Sequence, residues 1–289
     1  MCGIAGIIPF FRHRPPRSDQ LKSMCDSMVH RGPDEQGMDM SDGVALGMRR
    51  LSIIDLAGGS QPIFNEDRSI LCVFNGEIYN YRELRQELEA LGHRFQTSSD
   101  TEVIVHGYEE FGEMFPTRLN GMFAIALHDT KQKKVILARD HIGIKPLYYC
   151  LTANGIIFGS EIKVILASGL MDKHLNVDAV GQFLAWEYIP GPQTLFQGIE
   201  KLEPGHLLVI DREAETVSNQ EYWDIPEADF TSLSAREWED RVDELLASSV
   251  RRQLVSDVPL GAFLSGGVDS SLVVSAMGTA QTFSIGFDD

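Results

Sequence analysis

The chain begins with the residues Met1-Cys2-Gly3-Ile4-Ala5-Gly6-Ile7-Ile8. Residues 3–8 are apolar and rich in isoleucine, which predicts a buried strand that holds the amino terminus rigidly. A small residue at position 2 permits removal of the initiator methionine, so Cys2 becomes the first residue. It then carries a nucleophilic thiol together with an α-amine that can accept the thiol proton. Cys2 is therefore the candidate nucleophile.

Further apolar runs, separated by Gly, Asn, Asp or Pro, recur through the first 210 residues and predict strands. With the first, they lie at 3–8, 44–49, 70–74, 122–127, 134–138, 147–151, 156–159 and 206–210. Helical periodicity covers residues 80–91, 100–111 and 176–186. Several strands and few helices in one block predict packed sheets covered by helices, an α+β arrangement.

The pattern changes after residue 210. Residues 211–233 are polar and acidic, which predicts a linker, and Ser234-Ala-Arg-Glu237 is a capping box that begins an amphipathic helix. An apolar run at 260–264, a polar loop, a helix start at 272–277 and a strand at 282–287 then predict a strand–loop–helix–strand unit. One such unit opens a parallel α/β domain but cannot cover both faces of its sheet, so we expect residues 234–289 to be a truncated domain.

Composition excludes some classes of function. The net charge of −17 disfavours nonspecific nucleic-acid binding, which needs Lys and Arg to neutralise phosphates. The sequence contains no run of about 18 apolar residues, so we expect no membrane span. It has no secretory signal, and its four cysteines lack C-x-x-C spacing, so we expect a cytoplasmic protein with reduced thiols and no cysteine-based zinc site.

Further sequence blocks follow the first in a fixed order. They are 30–34 (HRGPD), 50–55 (RLSIID), 74–80 (FNGEIYN), 99–102 (SDTE), 139–140 (RD) and 145–149 (KPLYY). Together with MCGIAGII, these blocks resemble the class II glutamine amidotransferases, which use an amino-terminal cysteine. The resemblance covers residues 2–210 and implies a four-layer αββα N-terminal-nucleophile fold for that glutaminase domain.

The same resemblance assigns roles in glutamine recognition. It implies that Arg50 clamps the substrate α-carboxylate, since a guanidinium can bind both oxygens. Glu77 and Asp100 would face the α-ammonium group. Backbone groups at Leu51 and Ile53 would also touch glutamine.

The resemblance places the oxyanion hole, the pair of donors that stabilises the tetrahedral intermediate, at Asn75 and Gly76. The Asn75 side-chain amide and the Gly76 backbone N–H would supply the donors, and Asn75 would touch glutamine as well. Hydrolysis by Cys2 with these two residues needs no cofactor.

Each assignment has a simpler alternative. Asn75-Gly76 between apolar runs is a common hairpin-turn signal. Asp100 has the residue type of a helix N-cap, and Arg49 competes with its neighbour for the clamp role. His30 resembles a catalytic base, but the α-amine already fills that role, so we expect His30 to be structural.

Residues 264–271 read LSGGVDSS and lie between the predicted strand and helix. Glycines and a helix start favour anion binding, but the loop lacks the Gly-Lys-Ser/Thr of a Walker A motif. It resembles the pyrophosphate-binding loop of enzymes that cleave ATP between its α and β phosphates. The implied ATP contacts are Leu264, Ser265, Gly266, Gly267, Val268, Asp269, Ser270, Ser271 and Ile285, with Asp269 as a Mg²⁺ contact.

The combination of this loop with a class II glutaminase resembles one family, the glutamine-hydrolysing asparagine synthetases. It implies that aspartate, ATP and glutamine are substrates, that ATP and Mg²⁺ serve the synthetase reaction, and that the protein forms a homodimer. We expect these 289 residues to hydrolyse glutamine without making asparagine. The alternatives are an amidotransferase for another carboxylate acceptor and a noncatalytic glutamine-binding module.

Overall fold

A computed structural model describes residues 1–10, 13–227 and 233–286. The chain divides into two units, Met1–Asp224 and Ile225–Asp289. The first predicted strand lies inside a sheet of the larger unit. The elements of the first unit are β1 (Gly3–Pro9), α1 (Ser18–Asp26), β2 (Glu35–Asp39), β3 (Ala45–Arg50), β4 (Ile63–Phe64), β5 (Ile70–Ile78), α2 (Tyr81–Leu91), α3 (Glu102–Phe111), β6 (Gly121–Asp129), β7 (Lys134–Arg139), β8 (Tyr148–Thr152), β9 (Gly155–Gly159), α4 (Ile162–Ala167), α5 (Val177–Trp186), β10 (Glu200–Lys201), β11 (His206–Asp211) and β12 (Thr216–Glu221). Two short 3₁₀ helices span Ser41–Gly43 and Gly112–Arg118.

Two six-stranded antiparallel sheets form the centre of this unit. Their strand orders are β10-β8-β9-β1-β3-β2 and β12-β11-β7-β6-β5-β4. In the first sheet β1 pairs with both β3 and β9 and is buried along its whole length. The apolar residues after Cys2 therefore fix the amino terminus in the middle of a sheet, as predicted.

The sheets pack face to face, and helices cover their outer faces. One apolar core lies between the sheets and contains Ile4 and Ile8 of β1 beside Leu71 and Val73 of β5. A second core joins the outer face of the first sheet to α1 and α4. On the second sheet, α3 packs against β4 and β5, and α2 packs against α3. The predicted four-layer αββα arrangement is confirmed.

The first unit extends past residue 210, which corrects the predicted linker at 211–233. β12 pairs with β11, and Tyr222 after it is buried, with its hydroxyl donating to Arg139 O at 2.5 Å. The sequence conceals β12 because this edge strand exposes polar side chains on most of its length. Residues 228–232 of the predicted linker lie outside the described residues.

The second unit contains α6 (Ala235–Gln253), β13 (Gly261–Phe263), α7 (Val268–Met277) and β14 (Gln281–Phe283). β13 and β14 are parallel, which confirms the predicted strand–loop–helix–strand unit. Ser234 N donates to Glu237 Oε2 at 2.7 Å and Ser234 Oγ accepts from Glu237 N at 3.4 Å, so the capping box is confirmed. Residue 287 of the predicted last strand lies outside the described residues.

None of the helices formed by the described residues combines the length and apolarity that a bilayer crossing requires. All four cysteines are free thiols.

Candidate active site

Two hydrogen bonds fix the backbone at and after Cys2. Two residues downstream, Ile4 N donates to Ser160 Oγ at 2.9 Å, and Arg31 Nε donates to the carbonyl oxygen of Cys2 at 2.8 Å. The Cys2 thiol accepts a hydrogen bond from Leu51 N at 3.4 Å. The sulfur therefore has one defined position at the end of β1.

Burial raises the pKa of the Cys2 thiol, and the hydrogen bond from Leu51 opposes that rise. A buried thiol that stays protonated needs a base before it can attack. Met1 lies in the same pocket as Cys2, so its removal would both enlarge the pocket and create an α-amine beside the sulfur.

The pocket at Cys2 has a volume of about 110 Å³. It brings together every residue predicted for the glutaminase site, namely Cys2, Arg50, Leu51, Ile53, Asn75, Gly76, Glu77 and Asp100. A larger pocket of about 440 Å³, around Pro9, Arg17 and Leu170, contains none of them. Chemistry, rather than size, therefore identifies the smaller pocket as the candidate site.

Arg50 is buried, and two backbone carbonyl groups and one carboxylate bond to its guanidinium. Nη2 donates to Ile54 O at 3.0 Å and to Asp55 O at 2.7 Å, while Nη1 lies 3.3 Å from both oxygens of Glu35. Arg49 instead bonds to Asp26 at 2.8 Å and does not line the pocket. Of the two neighbouring arginines, only Arg50 can meet a ligand there.

Glu77 and Asp100 place two carboxyl groups in the same pocket. Burial and the nearby Asp100 charge raise the pKa of Glu77 to about 8. Burial also raises the pKa of Asp100 to about 6, although Ile78 N donates to its Oδ2 at 2.9 Å. A bound cation would relieve both penalties, since an opposite charge favours the ionised carboxylates.

Asp100 is not the N-cap of α3, because Thr101 occupies that position and the Asp100 carboxylate bonds to Ile78 instead. The helix-cap alternative is therefore excluded.

Asn75 and Gly76 continue β5 and do not form a hairpin turn. Their partners across the sheet are Ala124 and Phe123 of β6. The Asn75 side chain is buried, and its Nδ2 has no hydrogen-bond partner among the described residues. A buried amide donor without a partner is costly, so its place in the pocket suits a ligand oxygen.

Gly76 has no room for a side chain, because a Cβ there would lie 2.1 Å from Met122 O. Opposite it, Phe123 directs its backbone groups to Asp140, with Phe123 N donating to Asp140 Oδ2 at 3.1 Å and Asp140 N donating to Phe123 O at 2.9 Å. Phe123 and Gly76 thus form a pair that exchanges no backbone hydrogen bonds, and the Gly76 N–H is directed away from β6.

The predicted pyrophosphate-binding loop, residues 264–271, connects β13 to the start of α7 in the second unit. Gly266 has a left-handed φ of +83°, and Gly267 is the N-cap of α7. Ser265 Oγ lies 3.0 Å from Ser270 Oγ, and Ser271 Oγ donates to Gly267 O at 2.8 Å. A tight turn that leads into a helix start, with hydroxyls around it, suits a phosphate group.

Two of the predicted ATP contacts are apolar side chains that lie largely in solvent. Val268 and Ile285 are 75% and 80% exposed, so the described residues of the second unit provide no apolar wall around them. Asp269 lies in the first turn of α7, directly beside the loop, where a carboxylate can serve as an oxygen ligand for Mg²⁺.

Residues 1–223 match the sequence profile of the glutamine amidotransferase domain. The chain belongs to the glutamine amidotransferase family. Residues 241–289 match the asparagine synthase profile, so the amidotransferase unit is followed by the beginning of a second conserved region.

Curated relatives of this amidotransferase chain carry both regions. Asparagine synthetase [glutamine-hydrolyzing] 1 of Bacillus subtilis is 38% identical over 298 residues, covering 100% of this chain and 46% of its own length. A putative asparagine synthetase of Methanocaldococcus jannaschii is 35% identical, covering 100% of this chain and 60% of its own length. The chain thus spans about half the length of these relatives.

Among solved structures, glutamine phosphoribosylpyrophosphate amidotransferase from B. subtilis aligns with a TM-score of 0.55 over 96% of this chain and 65% of its own. The two sequences are 18% identical, so the likeness concerns the fold. It agrees with the predicted N-terminal-nucleophile architecture.

The amidotransferase pocket also contains Lys145, which the sequence did not single out. Lys145 is 4% exposed, and burial lowers its pKa while the Glu77 charge opposes that change. The carboxylate of Asp140 holds this loop, accepting from Ile144 N at 2.8 Å and Lys145 N at 2.9 Å. Lys145 belongs to the block at 145–149, but its residue type gave no signal of a role in glutamine recognition.

His30 lies outside this pocket and is paired with Glu161 at 2.9 Å, as expected for a structural residue.

Proposed function

We propose that the first unit hydrolyses glutamine to glutamate and ammonia, with Cys2 as the nucleophile after Met1 is removed. The observation that carries this proposal is the single pocket that combines a fixed thiol, a buried guanidinium, two carboxylates and an unpartnered amide donor. Each of these groups complements one part of glutamine. The thiol can attack the side-chain amide carbon, the guanidinium suits the α-carboxylate, the carboxylates suit the α-ammonium, and the amide donor suits the amide oxygen.

Recognition follows from the charges. Arg50 binds the α-carboxylate of glutamine, since Ile54 and Asp55 hold its guanidinium in place. Asp100 and Glu77 bind the α-ammonium, which compensates the cost of burying their charges. Leu51 and Ile53 position the substrate through backbone groups.

The chemistry proceeds in two steps. The α-amine of Cys2 takes the thiol proton, and the sulfur attacks the side-chain amide carbon of glutamine. Asn75 Nδ2 and Gly76 N stabilise the resulting oxyanion, and the amine returns the proton to the departing ammonia. Water then cleaves the thioester, which releases glutamate and regenerates the thiol.

The second reaction is amide formation on a carboxylate. The relatives are named for asparagine synthesis, and the family resemblance implies aspartate as the acceptor. In this proposal ATP activates the aspartate side chain as an adenylate, and ammonia from the first unit attacks it to give asparagine. The loop from Leu264 to Ser271 and Ile285 would hold ATP, and Mg²⁺ at Asp269 would neutralise the pyrophosphate charge. The asparagine synthase profile at 241–289 supports this assignment.

The described residues hold only part of such a site, so we expect glutamine hydrolysis but no asparagine from this chain by itself. A homodimer in the cytoplasm, with no nucleic-acid or membrane partner, completes the proposal. An acceptor other than aspartate is the remaining alternative, since no residue described here selects the acceptor.

The test of glutamine recognition compares two neighbouring arginines. Arg50→Lys should raise KM for glutamine strongly with little change in kcat, because a point charge cannot replace a two-oxygen clamp. Arg49→Lys is the matched control and should leave KM near the wild-type value. Glutamate release by the 289-residue chain gives both constants. Equal effects of the two substitutions would contradict the assignment.

A further inference from the structure

A second cluster of chemically active side chains lies away from the glutamine pocket. Glu66 follows β4, His93 follows α2, and His106 and Glu109 lie on α3. Their nearest ligand atoms all lie within 4.8 Å of one another. We call Glu66, His93, His106 and Glu109 the histidine–glutamate cluster.

The spacing within this cluster is regular. His106 Nδ1 lies 3.2 Å from Glu109 Oε2 and 3.5 Å from Glu66 Oε2. His93 Nδ1 lies 3.6 Å from Glu109 Oε2 and 3.6 Å from Glu66 Oε1. With ligand bonds of about 2.0–2.2 Å, a tetrahedral zinc ion places its donor atoms roughly 3.4 Å apart. The cluster therefore has the dimensions of a four-coordinate cation site.

Both imidazoles also face a carboxylate on their other ring nitrogen. His93 Nε2 lies 2.9 Å from Glu110 Oε1, and His106 Nε2 lies 3.6 Å from Glu102 Oε1. A carboxylate behind a metal-bound histidine orients the ring and increases its basicity as a ligand. Both histidines present Nδ1 to the centre of the cluster. His93 Nε2 is held by a hydrogen bond, whereas His106 Nε2 is buried without a hydrogen-bond partner among the described residues.

The two carboxylates at the centre are held as well. Asn65 Nδ2 donates to Glu109 Oε1 at 2.8 Å, which leaves Oε2 directed at the imidazoles. Arg94 N donates to Glu66 Oε1 at 2.9 Å. These bonds orient the ligand atoms before any cation binds.

We propose that the histidine–glutamate cluster is a binding site for a divalent transition-metal cation such as Zn²⁺. Two imidazole nitrogens and two carboxylate oxygens form a donor set that suits zinc and its neighbours rather than Ca²⁺ or Mg²⁺, which prefer oxygen alone. The site uses no cysteine, so it does not conflict with the absence of a C-x-x-C motif.

The net charge of these side chains favours a bound cation over ion pairs among the side chains alone. Glu66, Glu109, Glu102 and Glu110 surround only two imidazoles, so the group remains negative even when both rings are protonated. A divalent ion bound to neutral imidazoles supplies the missing positive charge at the centre of the cluster.

The site also has an entry path. The His106 side chain is fully buried, but those of His93, Glu109 and Glu66 are 11%, 26% and 35% exposed. A cation can therefore enter from solvent beside Glu66 and reach the buried His106 imidazole.

Its effect would be structural. The cation would tie α3 to the segment after α2 and to the turn after β4. The carboxylate of Glu102, at the start of α3, accepts from Gln96 N and Thr97 N, each at 2.7 Å. Because Asp100 lies two residues before Glu102 and lines the pocket, a cation here would stabilise the wall of the glutamine pocket without touching the substrate.

The experiment measures Zn²⁺ bound per chain after equilibrium dialysis, and thermal unfolding with Zn²⁺ or with EDTA. It uses the 289-residue chain carrying Cys2→Ala, because the Cys2 thiol is a second candidate zinc ligand. In this background we expect one tightly bound Zn²⁺ per chain and a higher Tm in zinc than in EDTA.

Substitutions then locate the site. His93→Gln and Glu109→Gln should abolish the bound zinc and the Tm difference, whereas His174→Gln, an exposed histidine elsewhere, should change neither. Glu110→Gln should weaken zinc affinity by about 10–100-fold, the usual effect of removing a carboxylate behind a ligand histidine. Unfolding in EDTA shows whether each variant is folded.

If the variants with substitutions in the histidine–glutamate cluster do not fold, the cobalt spectrum of the Cys2→Ala chain still tests the proposal. Co²⁺ bound to the Cys2→Ala chain should give visible d–d absorption without thiolate charge-transfer bands. Absence of stoichiometric metal binding, the same zinc content in all variants, or thiolate bands in the cobalt spectrum would each overturn the proposal.

Discussion

The side chain of Asn75 illustrates how single residues prepare the pocket before glutamine binds. Its Nδ2 is buried without a partner among the described residues, so the fold carries the cost of an unpaired donor. In the proposed mechanism this donor gains its partner when the oxygen of the glutamine amide, which develops negative charge, occupies the pocket. Cys2 and Arg50 differ from Asn75 because backbone groups already bond to their side chains, so the fold positions the thiol and the guanidinium before any ligand binds.

Removal of this donor should slow the chemical step. Asn75→Ala should lower kcat for glutamine hydrolysis by about 10²–10³-fold and change KM much less, since the donor acts on charge that develops in the transition state. Steady-state glutamate release gives both constants. A large rise in KM at unchanged kcat would show that Asn75 serves binding instead.

The two carboxylates predict a pH dependence of glutamine binding. The pKa of Asp100 is raised to about 6 and that of Glu77 to about 8, so lowering the pH neutralises the two proposed partners of the α-ammonium group. KM should therefore rise as the pH falls through about 6, and glutamine binding at neutral pH should release protons because the bound ammonium favours the ionised forms. Asp100→Asn should raise KM at neutral pH and flatten its profile below pH 7. A KM profile of unchanged shape in Asp100→Asn would contradict this role.

The conformation of the loop after β7 depends on the buried carboxylate of Asp140. Asp140 accepts hydrogen bonds from the backbone N–H groups of Phe123, Ile144 and Lys145 at 3.1, 2.8 and 2.9 Å. The loop therefore joins β6 to the segment that carries Lys145 into the pocket.

Loss of that carboxylate should loosen the whole element. Asp140→Ala should lower the free energy of unfolding by roughly 3–5 kcal/mol, because it leaves several buried N–H groups without a charged acceptor. It should also reduce kcat. Urea denaturation measures the first effect, and the exposed Asp67→Ala is the control with a far smaller change. Equal stability of the two variants would contradict this account of the loop.

Elements with a clear apolar pattern were predictable from the sequence, and polar ones were not. The run at 70–74 identified β5, but β2 (EQGMD) and β12 (TVSNQE) carry polar side chains in exposed edge positions and escaped detection. Asn75-Gly76 has the composition of a turn, yet pairing with β6 continues the strand through it. Tertiary pairing overrides local propensity there, and only the family resemblance indicated the role of these two residues.

At the scale of the whole molecule, the pocket, both large cores and all twelve strands of the two sheets lie within residues 1–224. The second unit is different, since Phe263, Val268 and Ile285 expose 75–80% of their surfaces in its described part. The glutaminase unit should therefore fold and act by itself.

Two truncations test where that unit ends. A chain of residues 1–224 should hydrolyse glutamine at a rate similar to the 289-residue chain. A chain of residues 1–210 should be destabilised, because it loses β12 and the buried Tyr222 that bonds to Arg139. Glutaminase rates and thermal unfolding compare the two. Equal stability of both truncations would contradict the boundary drawn from the structure.

The most direct test of the central claim is the rate of glutamate release by the 289-residue chain, with Met1 removal confirmed by mass spectrometry, beside that of Cys2→Ala. We expect glutamine turnover for the chain that begins with Cys2. We expect none above background for the alanine variant, although that variant keeps its fold. Turnover at the wild-type rate in folded Cys2→Ala would contradict the assignment of Cys2 as the nucleophile.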